Sequence, residues 1–305
     1  MPRIPERFLD CAIFLYSSRK DAEDGARYGG SGFMVGIQSR AYSDRWHLYA
    51  VTNRHVIKGG AVVIRLSRLD GTEVQENIID TKEDSWIFLR EEDIAVLPIR
   101  EAKETHWTNF VRRDDFLDSG AIARHEIGPG DDVFSVGRLT GHEGKQRNTP
   151  VVRFGNIAMM PAEPIRQENG HAQESFLVES RSFTGYSGSP VFVFLQPWTF
   201  MEPDPDQIES GESGPWLLGV DWGHPGLEEP VYYSRTGSIE NLRGTPSGLW
   251  IRANSGRMYV VPVSQLVELL DSAPARVIRE QEDNRLSEEK MNLTAVSDIT
   301  LPCDF

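Results

Sequence analysis

The sequence predicts an all-β fold of two antiparallel units followed by a C-terminal α-helix, and three observations carry that expectation. Short runs of β-branched and aromatic residues recur along the chain, each bounded by turn or charged residues. The 27 glycines and 18 prolines are spread rather than pooled, which suits many short elements joined by turns. Helical periodicity is clear at one late place only.

The first series of runs is CAIFLYSS, SGFMVGI, WHLYAVTN, AVVIRLSRL, SWIFLR and DIAVLPI, all before residue 100, with residues 8–17 read as the first strand. Six such runs read as one antiparallel barrel or sandwich. A charged and mixed stretch, 100–126, precedes a second series: DVFSVGRL, PVVRFGNIAMM, ESFLVES, SPVFVFL, WLLGVDWG, GLWIRA and MYVVPV. No close sequence repeat relates the two series. In VPVSQLVELLDSAPARVIREQ the residues Val263, Leu266, Val267 and Leu270 share one helical face, with Ser264 as a candidate cap. Beyond about residue 280 the polar composition predicts a mobile or docking tail. The expected units are 1–110, 111–271 (with the start of the helix) and 272–305, and the acidic stretch 201–215 is expected to be a solvated loop.

With 305 residues, 39% of them hydrophobic and 10% aromatic, the chain can bury a large core. Its formal charge of −14 argues against nucleic acid, because phosphate-backbone affinity needs clustered Lys and Arg. Small basic clusters such as RNTPVVR, 147–153, read as solvated surface. Two cysteines, Cys11 and Cys303, are fewer than a secreted protein of this size usually carries, so a reducing, cytoplasmic setting is expected. The N-terminal apolar run is interrupted by Asp10 and is too short for a membrane span, so no membrane partner is expected.

The stretch SFTGYSGSPVF, 182–192, sets Ser187 between Gly185 and Gly188. Such clusters commonly do no more than reverse the chain. The other reading is that Gly185 frees the backbone to aim its N–H, together with that of Ser187, at one point beside an exposed hydroxyl, which is an oxyanion hole next to a nucleophile. A nucleophilic serine needs a base and an acid that orients the base. The seven histidines form no HExxH motif and no Cys/His pairing, so neither a metal nor any other cofactor is expected. His55 stands out in HLYAVTNRHVI, at the end of an apolar strand. Asp93 opens the apolar DIAVLPI and can sit half-buried, whereas Glu91 and Glu92 are expected in solvent. A carboxylate there would accept the imidazole Nδ1–H and stabilise the imidazolium formed when Ser187 loses its proton.

With GSGFMVG (30–36), VTNRHVI (51–57), DIAVL (93–97), GYSGSP (185–190) and GVDWG (219–223) in that order, the chain resembles the trypsin-like serine peptidases, particularly the compact bacterial type without disulfides. The resemblance implies two six-stranded barrels with the site in the cleft between them. It implies His55 as general base, Asp93 as its orienter, Ser187 as nucleophile, and the N–H groups of Gly185 and Ser187 as the oxyanion hole. The α/β-hydrolase alternative requires G-x-S-x-G and another order of residues, and Ser189 occupies its second glycine position.

Tyr186 departs from the family pattern, since the digestive enzymes carry there an aspartate that pairs with a newly freed N-terminus. Activation by that route is therefore not expected, and the site is either assembled as synthesised or ordered by a partner or by the tail. By resemblance, Asp221, Trp222 and Gly223 match the strand that pairs with substrate and walls the primary pocket. Arg181, six residues before Ser187, falls at the base of that pocket. An arginine there would favour an acidic P1 side chain, unless it points outward or pairs with Glu179. The expected activity is serine endopeptidase cleavage of protein or peptide substrates, controlled by a protein partner or by narrow specificity. The competing expectation is an inactive or conditionally active module of the same fold that binds protein.

Overall fold

The apolar run Ala12–Tyr16 is buried at every position, as a strand covered on both faces must be. This computed structural model describes the chain apart from residues 1–2, 26–28, 68–76, 90, 100–108, 140–143, 145–147, 167–169, 181–185, 196–213, 225, 234–244 and 298–305. The acidic stretch 201–215 therefore lies almost wholly outside the described residues. In the first unit the strands are β1 (Ala12–Tyr16), β2 (Gly29–Gln38), β3 (Trp46–Thr52), β4 (Val63–Arg65), β5 (Ile78–Ile79), β6 (Ile87–Phe88), β7 (Ala95–Ile99) and β8 (Val111–Arg112). There follow β9 (Asp132–Gly137), β10 (Val151–Met159), β11 (Ile165–Arg166), β12 (Ala172–Gln173), β13 (Phe176–Glu179), β14 (Pro190–Val193), β15 (Trp216–Gly223), β16 (Gly226–Tyr233), β17 (Thr245–Asn254) and β18 (Arg257–Pro262).

The second unit is a closed barrel of six strands in the order β10-β13-β18-β15-β14-β9, as expected. The first is a curved half-barrel ordered β5-β4-β1-β2-β3-β7-β6, with β8 added in parallel to β2. Among the described residues it has eight strands where six were expected, and its ends, β5 and β6, do not meet. Each of those ends is a two-residue strand, which offers few ladder hydrogen bonds with which to close. Ile13 and Leu15 of β1 point into the first unit against Met34, Ala50, Ile64 and Leu97. Phe14 and Tyr16 are covered on the other face by Ala22, Val63 and Ile78.

The strand expected over 8–17 begins only at Ala12, because Glu6–Asp10 forms a short helix behind Pro5. That helix inserts Phe8 between the units, edge-on to Phe192 at 4.9 Å and to Phe134 at 6.2 Å. One apolar core therefore runs through both units, joining Val35, Val51 and Val96 to Val136, Val191 and Val220. Within the segment expected to be solvated basic surface, 147–153, the described residues 148–153 make structural contacts. Asn148 is buried against Arg65, accepting from its Nε at 2.7 Å, and the Arg153 guanidinium lies 4.6 Å from the centre of the Tyr186 ring.

GLWIRA belongs to no barrel strand. It lies in β17, which pairs with β16 as a separate two-stranded ribbon inserted between β15 and β18. Leu249, Trp250 and Ile251 are each more than half exposed on it.

At the C-terminal end the periodic segment forms the helix Val263–Leu270, burying Val263, Leu266, Leu269 and Leu270. Pro262 occupies the N-cap position and Ser264 lies within the first turn, so Ser264 is not the cap. Of the residues expected to be a polar tail from 280 onward, 280–297 continue a helix, Ala273–Ser297, which lies against the first unit. Its attachment is polar: Asp283 Oδ1 meets His47 Nε2 at 2.9 Å and accepts from the Ser39 hydroxyl at 2.6 Å. Tyr42 donates to the Leu286 carbonyl, and Arg279 donates to the Tyr49 hydroxyl. Such bonds carry no hydropathy signal, which is why composition alone reads as a tail. Replacing Asp283 with Ala leaves the mostly buried His47 ring and Ser39 hydroxyl without their shared acceptor. The expected loss is about 1–3 kcal/mol in urea unfolding, with faster proteolysis within 273–297.

Candidate active site

His55 enters the site because β3 ends at Thr52 and the chain turns at once into the short helix Arg54–Lys58. Asn53, fully buried at the N-cap position, donates its side-chain amide to the Asp93 carbonyl at 2.8 Å. Asp93 lies two residues before β7, which pairs with β3, so the strand pairing carries Asp93 back beside His55. One Asp93 carboxylate oxygen meets His55 Nδ1 at 2.5 Å, and the other accepts the His55 backbone N–H at 2.8 Å. The carboxylate is largely buried while the imidazole is about half exposed, at 10% and 48% of the side-chain surface respectively. An imidazole whose Nδ1–H is held by a carboxylate keeps Nε2 for accepting a proton.

Glu92 was expected in solvent and is instead half-buried, with its Oε2 fully buried and unpartnered. Burial pushes its carboxyl above the ordinary glutamate value, opposed by the nearby His171. Only Glu91 is exposed as expected.

Ser187 sits on a turn gripped from both units. On the second-unit side Tyr186 is buried, donates its hydroxyl to the Val151 carbonyl at 3.2 Å and accepts the Ser189 N–H at 2.8 Å. The Gly188 N–H donates to the Asp221 carbonyl and the Asp221 N–H to the Ser189 carbonyl, tying the turn to β15. On the first-unit side the Ser31 N–H donates to the Ser187 carbonyl at 2.9 Å. Gly188 has φ +91° and is pressed so closely on β2 that a Cβ there would lie 2.0 Å from the Ser31 carbonyl oxygen. No side chain is tolerated at that point. A Cβ on Gly188 would also lie 2.4 Å from Thr52 Oγ1, so the turn lies against the end of β3, the strand that leads into His55. The structure thus joins His55 to Asp93 directly and sets the Ser187 turn against the strand that leads into His55, with no hydrogen bond joining the imidazole to the Ser187 hydroxyl.

Gly185 and Arg181 lie outside the described residues. The Asp221 and Trp222 side chains are both buried: the Asp221 carboxylate accepts the Gly223 N–H, and the Trp222 indole N–H donates to Ser175. Of this trio, Gly223 is the half-exposed residue. Among the described residues no group of His, Cys, Asp and Glu is arranged to hold a metal ion.

Sequence reasoning passed over Gln173. Its buried side chain accepts the Asp93 N–H at 2.9 Å, across the junction of the two units. A glutamine in a polar loop carries no signal of that contact.

A family model described as "Trypsin-like peptidase domain" matches residues 30–194, a segment that contains His55, Asp93 and Ser187. No curated protein matches. Among solved structures, the MamO protease domain from Magnetospirillum magneticum is similar at 14% identity and TM-score 0.46, covering 87% of this chain and 98% of that one. The active form of the Rv3671c protease from M. tuberculosis is 12% identical with TM-score 0.46, covering 87% and 81%. Deg5 is 14% identical with TM-score 0.43, covering 86% and 88%.

Because an acid whose pKa is raised on folding holds its proton after the unfolded chain has released its own, Glu92 lowers stability as pH climbs from the ordinary glutamate value through the raised one. Glu92→Gln removes that dependence. Urea unfolding is expected to show the variant gaining on the parent between a pH below the ordinary glutamate value and about pH 7, with the difference constant below that interval.

Proposed function

The chain belongs to the trypsin-like peptidase domain family, and from that premise we propose that it is a serine endopeptidase acting through an acyl-enzyme, with His55, Asp93 and Ser187 as its triad. The observation that carries the reading is the two-point grip of Asp93 on His55, through ring and backbone, with the Ser187–Gly188 turn pressed on Ser31 and on Thr52 at the end of the strand that leads into His55.

In the proposed reaction the Ser187 hydroxyl attacks a peptide carbonyl while His55 Nε2 takes its proton. Asp93 holds the ring and stabilises the imidazolium. The oxyanion is received by the N–H groups of Gly185 and Ser187. His55 then passes the proton to the leaving amine, and water releases the acyl group by the same sequence in reverse. Substrates of a peptidase domain are proteins or peptides. The backbone of Gly223 is proposed to border the bound chain, and Arg181 to select an acidic P1 residue.

One observation favours a second reading, a conditionally active module that binds protein until a partner completes it: no hydrogen bond yet links His55 to Ser187. Catalytic hydrogen bonds are often loose before substrate binds, so the active reading is preferred.

A fluorophosphonate probe distinguishes the two. Labelling of the purified chain is expected, with loss of at least about 1,000-fold in labelling and peptide cleavage for Ser187→Ala and an unchanged fold. Labelling only after addition of cell lysate would favour the conditional module, and labelling that survives the substitution would exclude Ser187 as the nucleophile. For the pocket, among peptides bearing Glu, Arg or Leu at P1 the Glu peptide is expected to be cleaved fastest. Equal rates for the three would remove Arg181 from the specificity site.

A further inference from the structure

We propose that Gln173, a residue of the second unit, is a positioning residue for Asp93, so that a correctly aimed triad acid requires the two units to be seated together; the proposal rests on the triad reading above. Asp93 is held at four points. Its two carboxylate oxygens meet the His55 N–H and Nδ1, and its carbonyl accepts from Asn53, all within the first unit. The fourth point, the Asp93 N–H, donates to Gln173 Oε1 at 2.9 Å and is the one contact of the four that crosses between units.

That bond does what the first unit leaves undone. Residues 91–93 form a bend ahead of β7, so no β-ladder partner is available to this N–H, and Asp93 is 8% exposed. Without Gln173 the N–H would be a buried donor lacking an acceptor, and the 92–93 peptide plane that directs the Asp93 side chain would lose its anchor.

Gln173 is fixed through its oxygen atoms and by burial, its amide nitrogen being buried without a hydrogen-bond partner. It is 1% exposed, at the end of β12 in the small β11–β12 ribbon. Its Oε1 lies 3.1 Å from His171 Nε2, and its backbone carbonyl accepts from the Ser175 hydroxyl at 3.2 Å. Ser175 in turn accepts the Trp222 indole N–H at 2.9 Å, and His171 stands edge-on to the same indole at 5.5 Å. Trp222 follows Asp221, whose backbone grips the Ser187 turn. One strand, β15, therefore holds the nucleophile's turn directly and the acid's N–H through Trp222, Ser175 and Gln173.

The test compares Gln173→Met, which keeps length but removes the acceptor oxygen, with Gln173→Glu, which keeps an acceptor. With the full chain, the second-order rate of fluorophosphonate labelling is measured across pH. Gln173→Met is expected to slow labelling about tenfold and to move its acid limb to lower pH, because a misaimed carboxylate stabilises the His55 imidazolium less; Gln173→Glu is expected to stay within about threefold of the parent. The His55 titration followed by NMR in Ser187→Ala and in Ser187→Ala/Gln173→Met gives the same comparison without turnover, and the imidazole pKa is expected to fall in the double variant. An unchanged rate and acid limb for Gln173→Met would overturn the proposal, as would slowing with the His55 titration unmoved, which is the mark of a merely structural contact. If Gln173→Met does not fold, Gln173→Glu decides: a rate near the parent's supports the proposal, and a loss as large as tenfold overturns it. A parent chain labelled at a serine other than Ser187 would instead bring down the triad reading itself, a failure the Ser187→Ala control separates from this one.

Discussion

The four-residue turn Tyr186–Ser189 is hydrogen-bonded to both units at once, and the geometry of the candidate site follows from that constraint. Tyr186 is sunk into the barrel, Gly188 is pressed on β2, and the Ser187 carbonyl accepts from Ser31. A residue between two such anchors has little freedom to move along the groove. Gly188 is indispensable in this arrangement for two independent reasons: its backbone occupies the left-handed region and its Cα lies against a carbonyl. The tyrosine at 186 serves the same turn by burial and a hydroxyl bond, so the loop is anchored without the ion pair that the digestive members of the family use.

Around that turn the two units are joined by more than contact of their surfaces. Phe8, from the helix ahead of β1, packs on Phe134 and Phe192 of the second unit, and the apolar core is continuous between the two. Buried polar groups add direction to this adhesion. The Arg138 N–H donates to the Ser31 hydroxyl, its guanidinium reaches the Leu15 carbonyl, and Gln173 receives the Asp93 N–H. Burying such groups costs stability unless each finds its partner, so these contacts favour one relative placement of the units over neighbouring ones that apolar packing would tolerate equally. The terminal helix repeats the pattern on the far side of β3, where His47 and Tyr49 take partners from Ala273–Ser297. The strand that leads into His55 is thereby held along its first half.

Legibility in the sequence followed the physical character of each contact. Strands with apolar, β-branched runs were readable because burial on a pleated surface imposes that composition locally. The pairing of His55 with Asp93 was readable because each lies in a short block whose apolar neighbours are required by local geometry. The eight-strand count of the first sheet was hidden because two-residue strands leave no periodicity to detect. GLWIRA looked like a barrel strand because its composition is apolar, yet the ribbon leaves those residues in solvent.

By itself, then, the sequence determined the β character of both units, the late amphipathic helix and the family blocks in their order, since all of these depend on residues near one another in the chain. The tertiary structure alone decided the partnerships of Gln173 with Asp93, Asp283 with His47, and Asn148 with Arg65. Each joins polar groups from 80 to 236 residues apart. A buried hydrogen bond of that kind needs one matching atom from each side and demands nothing of the residues beside it, so it leaves no trace until the chain has folded.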